Sequence, residues 1–494
     1  MKGSATVAVA SILAGWVRAK GQNGVVQWDI QKRVLPQDLL KVRKRASTYE
    51  EAITNEEARG GYFATCRLGT PGQDLTLQLD TGSSDIWVPD SNAEVCRQTG
   101  SGQCTFGTFN PDKSTTFEVV NNDFNISYVD GSSSTGDYFT DHFEIGGANL
   151  RNMTMGLGLN TDIAYGLVGV GYALNEAIVG TESTASVYPN LPVNMMDQGL
   201  INTVAYSLWL NDLDASKGSI LFGGIDTEKY VGDLTSIKVY PTQGHYTSFL
   251  VAFTSLDAYS SSGHDTLTST SFPIPVVLDS GTTLSYLPAD LARQIWKEVG
   301  AVYSQQYELA VIPCSMQYSK GYFSFGFAGP NGPRINVTMD ELVLDLTSGE
   351  APKFTSGSFK GQDACEFGIQ AFSNSGPFLL GDTFLRSAYV VYDLVNNEIG
   401  IAPTDFNSTK TNVVAFASDG ARIPSATTAP GQNQATDKPK ATTPAYAASA
   451  GFSDGIATNS AASGVPTALG IAQLVILGIS ISLTMLGSGI FMLL

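Results

Sequence analysis

Two stretches of the sequence share one design: LTLQLDTGSS at residues 75–84 and IPVVLDSGTT at residues 274–283. In each, a mainly apolar run ends at an aspartate, which is followed by a small hydroxyl residue, a glycine and a second hydroxyl residue. Apolar runs of this length that end in small turn residues predict buried strands, so Asp80 and Asp279 are expected at the ends of two strands. The repeat therefore predicts two similar lobes that each contribute one carboxylate.

Each repeat is followed downstream by an apolar pair that ends in glycine, GLVG at 166–169 and FLLG at 378–381. Glycine lets two backbones approach closely, so each pair is expected to pass beside the loop that carries its aspartate. An isolated Asp-Thr-Gly sequence is usually only a turn. Its duplication with a matching downstream partner favours a functional pair instead.

The expected chemistry follows from two carboxylates that meet between two lobes. Like charges a few ångströms apart share one proton, so one carboxyl acts as a base and the other as an acid. Such a pair can activate a water molecule to attack a peptide carbonyl and can protonate the developing oxyanion. Gly82 and Gly281 leave room for backbone donors, and the hydroxyls of Ser83 and Thr282 can hold the outer carboxylate oxygens. The pKa values of the pair are expected to be low, with activity favoured at acid pH.

Composition excludes several other classes of function. The chain has 494 residues, 43% of them hydrophobic and only 15% charged, with 51 glycines, which favours a strand-rich body with a large core. A net charge of −18 disfavours nucleic acid as a partner and favours cationic substrates. The three histidines have no metal-ligand spacing. No metal or other cofactor is therefore expected.

With these motifs, residues 62–403 resemble the pepsin-like aspartic proteases, family A1. The resemblance also rests on WVP at 87–89, after the first repeat, and on GDTFLR at 381–386. It implies an all-β, bilobal fold with short helices and a cleft between the lobes. It further implies an aspartic endopeptidase with Asp80 and Asp279 as catalytic residues, acting as a monomer on peptides or proteins.

The resemblance implies a β-hairpin flap over the cleft, which ISYVDGS at 126–132 matches. Tyr128 corresponds to the flap tyrosine, whose hydroxyl is expected to reach the indole N–H of Trp87. The alternative is an ordinary half-buried strand aromatic. The family often has glycine after this tyrosine, whereas this chain has Val129.

The two ends of the chain predict a route to the cell surface. Residues 1–19 read as a signal peptide, and residues 20–45, ending in KVRKR, as a pro-segment. The lobes are expected at 46–230 and 231–404, and an extended Ser/Thr-rich stalk at 405–458. Residues 459–494 are typical of a removed GPI-attachment signal, with Asn459 as the attachment site. The alternatives are a short buried helix at the start, an unprocessed charge run, a retained membrane helix, and attachment at Ser453 or Gly455.

Cysteines and glycosylation sequences agree with a secretory route. Cys96 and Cys104 are close enough to close one loop, and Cys314 with Cys365 a longer one. Cys66 lies in an alternating stretch and is expected to be a buried thiol. The Asn-X-Ser/Thr sequences begin at Asn125, Asn152, Asn336 and Asn407.

In the second half of the chain, residues 289–302 predict a surface helix with apolar positions at Leu291, Ile295, Val299 and Val302.

The combination of signal, basic-ended pro-segment, stalk and anchor resembles the yapsin group of fungal surface aspartic proteases more narrowly. That group prefers to cut at basic residues. By motif position Asp130 lies on the flap, where its carboxylate can pair with a substrate Lys or Arg. The alternative is a turn aspartate that only completes the hairpin. A different class is an inactive surface binding protein or adhesin on the same fold.

Overall fold

A computed structural model describes residues 24–33, 61–97, 104–181, 187–215, 217–267, 269, 271–347, 349–372, 378–436 and 443–454. The strands of the first half are β1 Val26–Arg33, β2 Gly61–Leu68, β3 Gln73–Asp80, β4 Ile86–Pro89, β5 Glu118–Ser127, β6 Ser133–Ile145, β7 Ala148–Thr161, β8 Leu167–Gly169, β9 Ala205–Trp209, β10 Gly218–Phe222, β11 Gly224–Asp226 and β12 Thr235–Lys238.

The strands of the second half are β13 Leu250–Ser260, β14 Gly263–Leu267, β15 Ile274–Leu278, β16 Ser285–Pro288, β17 Val302–Ser304, β18 Leu309–Pro313, β19 Tyr322–Phe327, β20 Arg334–Thr338, β21 Val343–Leu344, β22 Ala364–Phe367, β23 Ile369–Phe372, β24 Phe378–Leu380, β25 Ala388–Asp393, β26 Glu398–Pro403, β27 Val413–Ala415 and β28 Thr427–Thr428. The α-helices are short: α1 Glu94–Arg97, α2 Ile178–Thr181, α3 Leu191–Asp197, α4 Ala289–Val299, α5 Met339–Leu342 and α6 Asp382–Leu385.

The largest sheet has fourteen strands in the order β28-β12-β26-β25-β9-β10-β1-β2-β3-β8-β4-β7-β6-β5. Its first part joins strands from both halves of the chain, and its remainder belongs to the first half. The second half forms an eight-stranded sheet, β20-β19-β13-β15-β24-β16-β23, with β14 paired to β13. The prediction of an all-β, two-lobed body with short helices is thus confirmed.

The two repeats occupy matching places in the two lobes. β3 runs parallel to β8, so that Asp80 lies opposite Gly169, and β15 runs parallel to β24, with Leu278 opposite Leu380. Each aspartate therefore stands at the end of a buried strand whose neighbour is the glycine-ended pair. At both glycines the backbone passes too close to the aspartate loop to leave room for a side chain. A Cβ on Gly169 would lie 2.5 Å from the Ser84 backbone nitrogen, and one on Gly381 would lie 2.2 Å from the Thr282 backbone oxygen. The predicted close approach is present in both lobes.

The first described strand lies in the segment predicted to be the pro-segment. β1 pairs antiparallel with both β10 and β2, and its alternating residues Trp28 and Ile30 are buried in the core. An alternating apolar pattern places one face of a strand inward, which explains why this short segment holds its register. The strand joins the first lobe to the sheet that both halves share.

The predicted surface helix is shorter than its pattern indicates. α4 ends at Val299, because Gly300 has the left-handed backbone (φ 73°) and its N–H closes the last turn onto the Trp296 carbonyl. Leu291, Ile295 and Val299 are buried as expected, whereas Val302 is exposed and belongs to β17.

The prediction of an extended stalk from residue 405 is wrong for residues 405–436 and 443–454, which pack on the body. β27 pairs with β11, and β28 adds to the edge of the shared sheet beside β12. Phe416, Ile423 and Phe452 are almost fully buried. A few large apolar residues among many small polar ones are enough to dock this segment, which a composition argument over the whole stretch overlooks.

The predicted signal peptide (1–19), the GPI-attachment signal (459–494) and Asn459 lie outside the described residues. Within the described part of the chain, no helix has both the length and the apolar character needed to cross a membrane.

Candidate active site

The two aspartates receive the same set of hydrogen bonds. The Gly82 N–H donates to Asp80 Oδ1 at 2.7 Å, and the Ser83 hydroxyl donates to Asp80 Oδ2 at 2.5 Å. In the other lobe the Gly281 N–H donates to Asp279 Oδ1 at 2.8 Å. The hydroxyl of Thr282 donates to Asp279 Oδ2 at 2.7 Å. Every carboxylate oxygen thus has one donor, as expected for groups that must carry negative charge while buried.

A reciprocal set of hydrogen bonds between Thr81 and Ser280 ties the two loops together. The Thr81 hydroxyl donates to the Leu278 carbonyl at 3.0 Å and accepts from the Ser280 N–H at 2.9 Å. The Ser280 hydroxyl donates to the Leu79 carbonyl and accepts from the Thr81 N–H, both at 3.2 Å. These side chains are buried. The cross-link fixes the separation of the two aspartates, which a shared proton requires.

The glycines at the site face the opposite aspartate. A Cβ on Gly82 would lie 2.6 Å from Asp279 Oδ1, and a Cβ on Gly281 would lie 2.3 Å from Asp80 Oδ1. Any side chain at either position would therefore displace a carboxylate. The same contacts show that Asp80 and Asp279 come together between the lobes, as the repeat predicted.

Burial and, next in size, the neighbouring Asp279 carboxyl raise the pKa of Asp80 above its usual range, although the hydrogen bonds from Ser83 and Gly82 act in the opposite direction. The expectation of low pKa values is therefore not met for Asp80. The cause is desolvation, because Asp80 is only 5% exposed. A proton on this carboxyl persists into weakly acidic solution, and the pair loses it as the pH rises through that raised pKa.

The predicted flap is present. β5 and β6 form a hairpin whose turn is closed by the Tyr128 N–H, which donates to the Ser132 carbonyl at 2.9 Å. The predicted hydrogen bond is also present, since the indole N–H of Trp87 donates to the Tyr128 hydroxyl at 2.7 Å. Val129 at the tip is 61% exposed, so the residue that departs from the family pattern does not crowd the site.

Asp130 lies in the same turn. Its Oδ1 accepts hydrogen bonds from the Ser132 N–H at 2.8 Å and from the Ser132 hydroxyl at 2.6 Å. Gly131 has a left-handed backbone (φ 83°) with open space around it, as a tight hairpin turn requires. The carboxylate is partly exposed and is held at the tip of the flap.

A second group of acidic residues, which the sequence did not reveal, lies behind the first aspartate. Asp85 is buried and accepts hydrogen bonds from the hydroxyls of Tyr138 (3.0 Å) and Tyr188 (2.7 Å) and from the Ala177 N–H (2.8 Å). Glu176, also buried, accepts from the Tyr188 N–H at 2.9 Å, and burial raises its pKa to about 9. The bonds to Asp85 hold Ala177 and Tyr188 against the start of β4, a few residues after Asp80. The one signal that could have indicated this group is the position of Asp85 directly after the first repeat, which ends at residue 84.

The GDTFLR motif has a structural role beyond its glycine. Arg386 is fully buried, its Nε pairs with the Glu341 carboxylate, and its Nη2 donates to the Glu341 carbonyl at 2.6 Å. This ion pair anchors α6, directly after the glycine that packs on the second aspartate loop. Removing one partner of such a pair leaves an uncompensated buried charge.

Both predicted disulfides are present, Cys96–Cys104 and Cys314–Cys365, and Cys66 is a buried free thiol whose pKa is raised by burial. The asparagines of the four predicted glycosylation sequences are all exposed, namely Asn125, Asn152, Asn336 and Asn407. Among the described residues, no group of three or more His, Cys, Asp or Glu side chains is arranged to hold a metal ion.

The mirrored aspartate loops, the flap and the two-lobed β fold define a class of protein. A family model described as eukaryotic aspartyl protease matches residues 61–404, which is more than half of the chain. The chain therefore belongs to the eukaryotic aspartyl protease family, and the resemblance to pepsin-like aspartic proteases is confirmed.

Three fungal proteins are among the relatives of this chain. The chain is 42% identical over 406 residues to the probable aspartic-type endopeptidase opsB of Aspergillus fumigatus, covering 82% of this chain and 81% of the relative. It is 38% identical over 366 residues to the acid protease of Saccharomycopsis fibuligera, covering 74% and 86%. It is 36% identical over 370 residues to the secreted aspartic protease 8 of Candida albicans, covering 74% and 80%. None of these names distinguishes the yapsin group, so that narrower resemblance stays a prediction.

Proposed function

We propose that the protein is a secreted, surface-anchored aspartic endopeptidase in which Asp80 and Asp279 are the catalytic residues. The observation that carries this proposal is the pair itself: two buried carboxyls, brought together between the lobes and each held by one N–H and one hydroxyl donor. Such a pair binds one proton between its members at acid pH.

In the proposed mechanism a water molecule lies between the two carboxyls. The ionised carboxylate takes a proton from the water as its oxygen attacks the peptide carbonyl carbon, and the protonated carboxyl donates to the carbonyl oxygen. The resulting gem-diol collapses when the protonated carboxyl donates to the amide nitrogen, the other carboxylate takes a proton from one gem-diol hydroxyl, and the C–N bond breaks, which leaves the pair with one proton again. Gly82, Gly281 and Thr282 line the substrate side of the pair, Ser83 supports Asp80, and the flap with Tyr128 closes over the substrate and excludes water.

The test is cleavage of a mixed peptide library at acid pH by the processed wild-type ectodomain and by Asp80→Asn, with a parallel sample containing pepstatin. We expect cleavage by the wild type alone and its inhibition by pepstatin, a mimic of the tetrahedral transition state. If neither protein cuts, although both are folded and lack the pro-segment, the second candidate applies, which is an inactive surface binding protein or adhesin. That candidate is disfavoured by the intact set of donors around both aspartates.

We propose further that Asp130 favours substrates with Lys or Arg. Two observations support the proposal: the carboxylate is held at the flap tip by Ser132, and the chain carries a net charge of −18, which steers cationic peptides. The alternative role is purely structural, since the same bonds complete the turn. Both roles predict a defect when the side chain is removed, so a second variant must separate charge from turn.

Asp130→Asn is that variant, because its amide oxygen can keep both bonds from Ser132 while the charge is lost. We expect Asp130→Ala and Asp130→Asn each to lower kcat/KM on Lys/Arg peptides about tenfold relative to Leu/Phe peptides. Equal losses on both peptide classes, or wild-type behaviour of Asp130→Asn, would show that Asp130 serves only the turn.

The proposed route to the surface uses the ends of the chain. Residues 1–19 direct secretion, residues 20–45 form a removed pro-segment, and Asn459 receives a GPI anchor, with glycans at the four exposed asparagine sequences. The name of the secreted Candida relative supports the first step. Release of the protein from cells by a phosphatidylinositol-specific phospholipase tests the anchor, because a retained membrane helix resists that enzyme.

A further inference from the structure

The chain continues beyond the matched family region, and its last described segment crosses the surface of the second lobe. This segment, residues 443–454, is called the strap. Its Phe452 is fully buried and stacks on Phe323 with the ring centroids 5.4 Å apart. Gly321 leaves the space that the Phe452 ring occupies, because a Cβ there would lie 2.2 Å from the ring. An apolar anchor of this size holds the end of the strap on the sheet.

Polar contacts fix the rest of the strap to the turn between β13 and β14. The Ser260 hydroxyl donates to the Ala448 carbonyl at 2.5 Å, and the Ser262 hydroxyl donates to the Ala447 carbonyl at 2.6 Å. The Gly451 N–H donates to the Ser262 hydroxyl at 2.9 Å. The surface that binds the strap therefore consists of the apolar site at Phe323 and the serines of the β13–β14 turn.

A carboxyl pair lies where the strap meets α4 and β14. Asp265 on β14 is 4% exposed, and its Oδ2 accepts a hydrogen bond from the Ala448 N–H of the strap at 2.8 Å. Glu298 on α4 is 1% exposed, and within the described part of the chain neither of its carboxylate oxygens receives a hydrogen bond from a donor. The Asp265 carboxyl lies within hydrogen-bonding reach of Glu298. Two acceptors can bond only if one of them carries a proton.

The charged and titratable groups that interact with Glu298 come from each packed element. They are Asp265 from β14, Lys297 from α4 and Tyr446 from the strap. Lys297 places its Nζ 3.7 Å from the centre of the Tyr446 ring, so its charge is directed to the ring. The strap's own carboxylate, Asp454, bonds instead to the Ser261 hydroxyl. None of these groups donates a hydrogen bond to the Glu298 carboxylate, whereas Gly82 and Ser83 each donate one to Asp80.

We propose that the strap is an acid-stabilised clasp, docked while a proton on the Glu298 carboxyl bonds to Asp265 and released when Glu298 is ionised. Its release at neutral pH would add up to about 40 Å of extended chain between the catalytic body and whatever follows Asp454. If the proposed GPI anchor is correct, the body then lies close to the membrane in acid and reaches farther in neutral surroundings. The clasp itself does not depend on the anchor.

The electrostatics of Glu298 determine whether docking weakens or strengthens as the pH rises. Burial first, and then Asp265, raise the pKa of Glu298 from 4.5 to about 7, while Lys297 lowers it. A carboxyl that binds its proton more tightly in the docked state stabilises docking below its ordinary pKa, and this stabilisation is lost as the pH rises from about 4.5 through about 7. A shift of this size sets an upper limit on the order of a hundredfold for the change in the docking equilibrium, reached when undocking restores the ordinary pKa of Glu298.

Hydrogen exchange followed by mass spectrometry on the processed ectodomain tests the clasp. Exchange of a peptide covering the strap is corrected for the intrinsic rate and expressed relative to a β25 peptide, at steps from pH 4.0 to 7.5. We expect relative protection of the strap to fall across this range in the wild type, by up to about a hundredfold. Glu298→Gln and Asp265→Asn each replace one carboxylate by an amide donor, and both should keep the strap protected at every pH.

Two further variants complete the design. Glu118→Gln, an exposed glutamate on β5, should keep the wild-type pH dependence. Phe452→Ala should expose the strap at every pH, which shows that the peptide reports docking. Constant wild-type protection, or an unchanged pH dependence in Glu298→Gln, overturns the proposal. Peptide cleavage by the same samples is scored separately, so failure of the proposed protease function is visible without affecting the exchange result.

Discussion

The molecule contains two buried carboxyl pairs that differ in their donors. At the cleft, four hydrogen bonds from two N–H groups and two hydroxyls reach the oxygens of Asp80 and Asp279. Beneath the strap, Asp265 accepts one N–H and Glu298 accepts none within the described residues. Both pairs are almost fully removed from solvent. Burial alone therefore does not decide what a carboxyl pair can do.

The donors decide whether a buried pair can carry charge. At the cleft they offset part of the desolvation, so one member can be ionised while the other holds the proton, which is the state that acid–base catalysis needs. Beneath the strap a charge on Glu298 receives no hydrogen bond from a donor among the described residues, and its ionisation is relieved by undocking the segment above it. One pair is suited to chemistry and the other to a change of packing.

The largest expected effect comes from matched substitutions in the two pairs. Asp279→Asn and Asp265→Asn each replace one buried carboxylate by an amide of the same shape. We expect Asp279→Asn to lower kcat/KM at acid pH by about a thousandfold or more, because the acid–base pair is lost. Asp265→Asn should change kcat/KM less than about twofold. Circular dichroism on both variants establishes that they are folded.

Comparable losses of kcat/KM in the two variants would contradict the assignment of Asp80 and Asp279 as the catalytic pair. Catalysis would then depend on general stability rather than on the cleft pair. Retained cleavage in folded Asp279→Asn would contradict it more strongly.

A smaller effect is expected when one donor is removed from the cleft pair. In the wild type the Ser83 hydroxyl donates to Asp80 Oδ2, and this hydrogen bond lowers the pKa of Asp80. Ser83→Ala removes that hydroxyl. The pKa of Asp80 should rise further, so the alkaline limb of the pH profile of kcat/KM should move up by about one pH unit. Ser84→Ala is the control, because the Ser84 hydroxyl donates at 2.7 Å to the Tyr172 carbonyl and not to a carboxylate. A limb that stays in place in Ser83→Ala would show that the donors do not tune the pair.

The sequence predicted most of the cleft because its parts are local motifs. The aspartate loops and their glycines each follow from a few adjacent residues whose turn chemistry fixes their geometry. The donors on the carboxylates follow in the same way, since each lies two or three residues after its aspartate. The flap tyrosine and its bond to Trp87, 41 residues away, came instead from the resemblance to a known family.

The parts that the sequence did not predict depend on contacts between distant segments. The pairing of Glu298 with Asp265, the bonds of Tyr138 and Tyr188 to Asp85, and the docking of Phe452 join residues far apart in the chain. Composition predicted a stalk after residue 404 because it averages over many small residues, whereas a few buried aromatics determine the packing. The raised pKa of Asp80 was missed because desolvation depends on the folded surroundings.

The most direct test of the central claim, that one proton is shared by Asp80 and Asp279, is the pH profile of kcat/KM for the wild-type enzyme on a single peptide without ionisable side chains. We predict a bell-shaped profile, because activity needs one carboxyl protonated and one ionised, with the alkaline limb set by loss of the shared proton through the raised pKa of Asp80. A profile that rises steadily with pH and reaches a plateau above neutrality would contradict the account, because it would show that a single ionised group suffices.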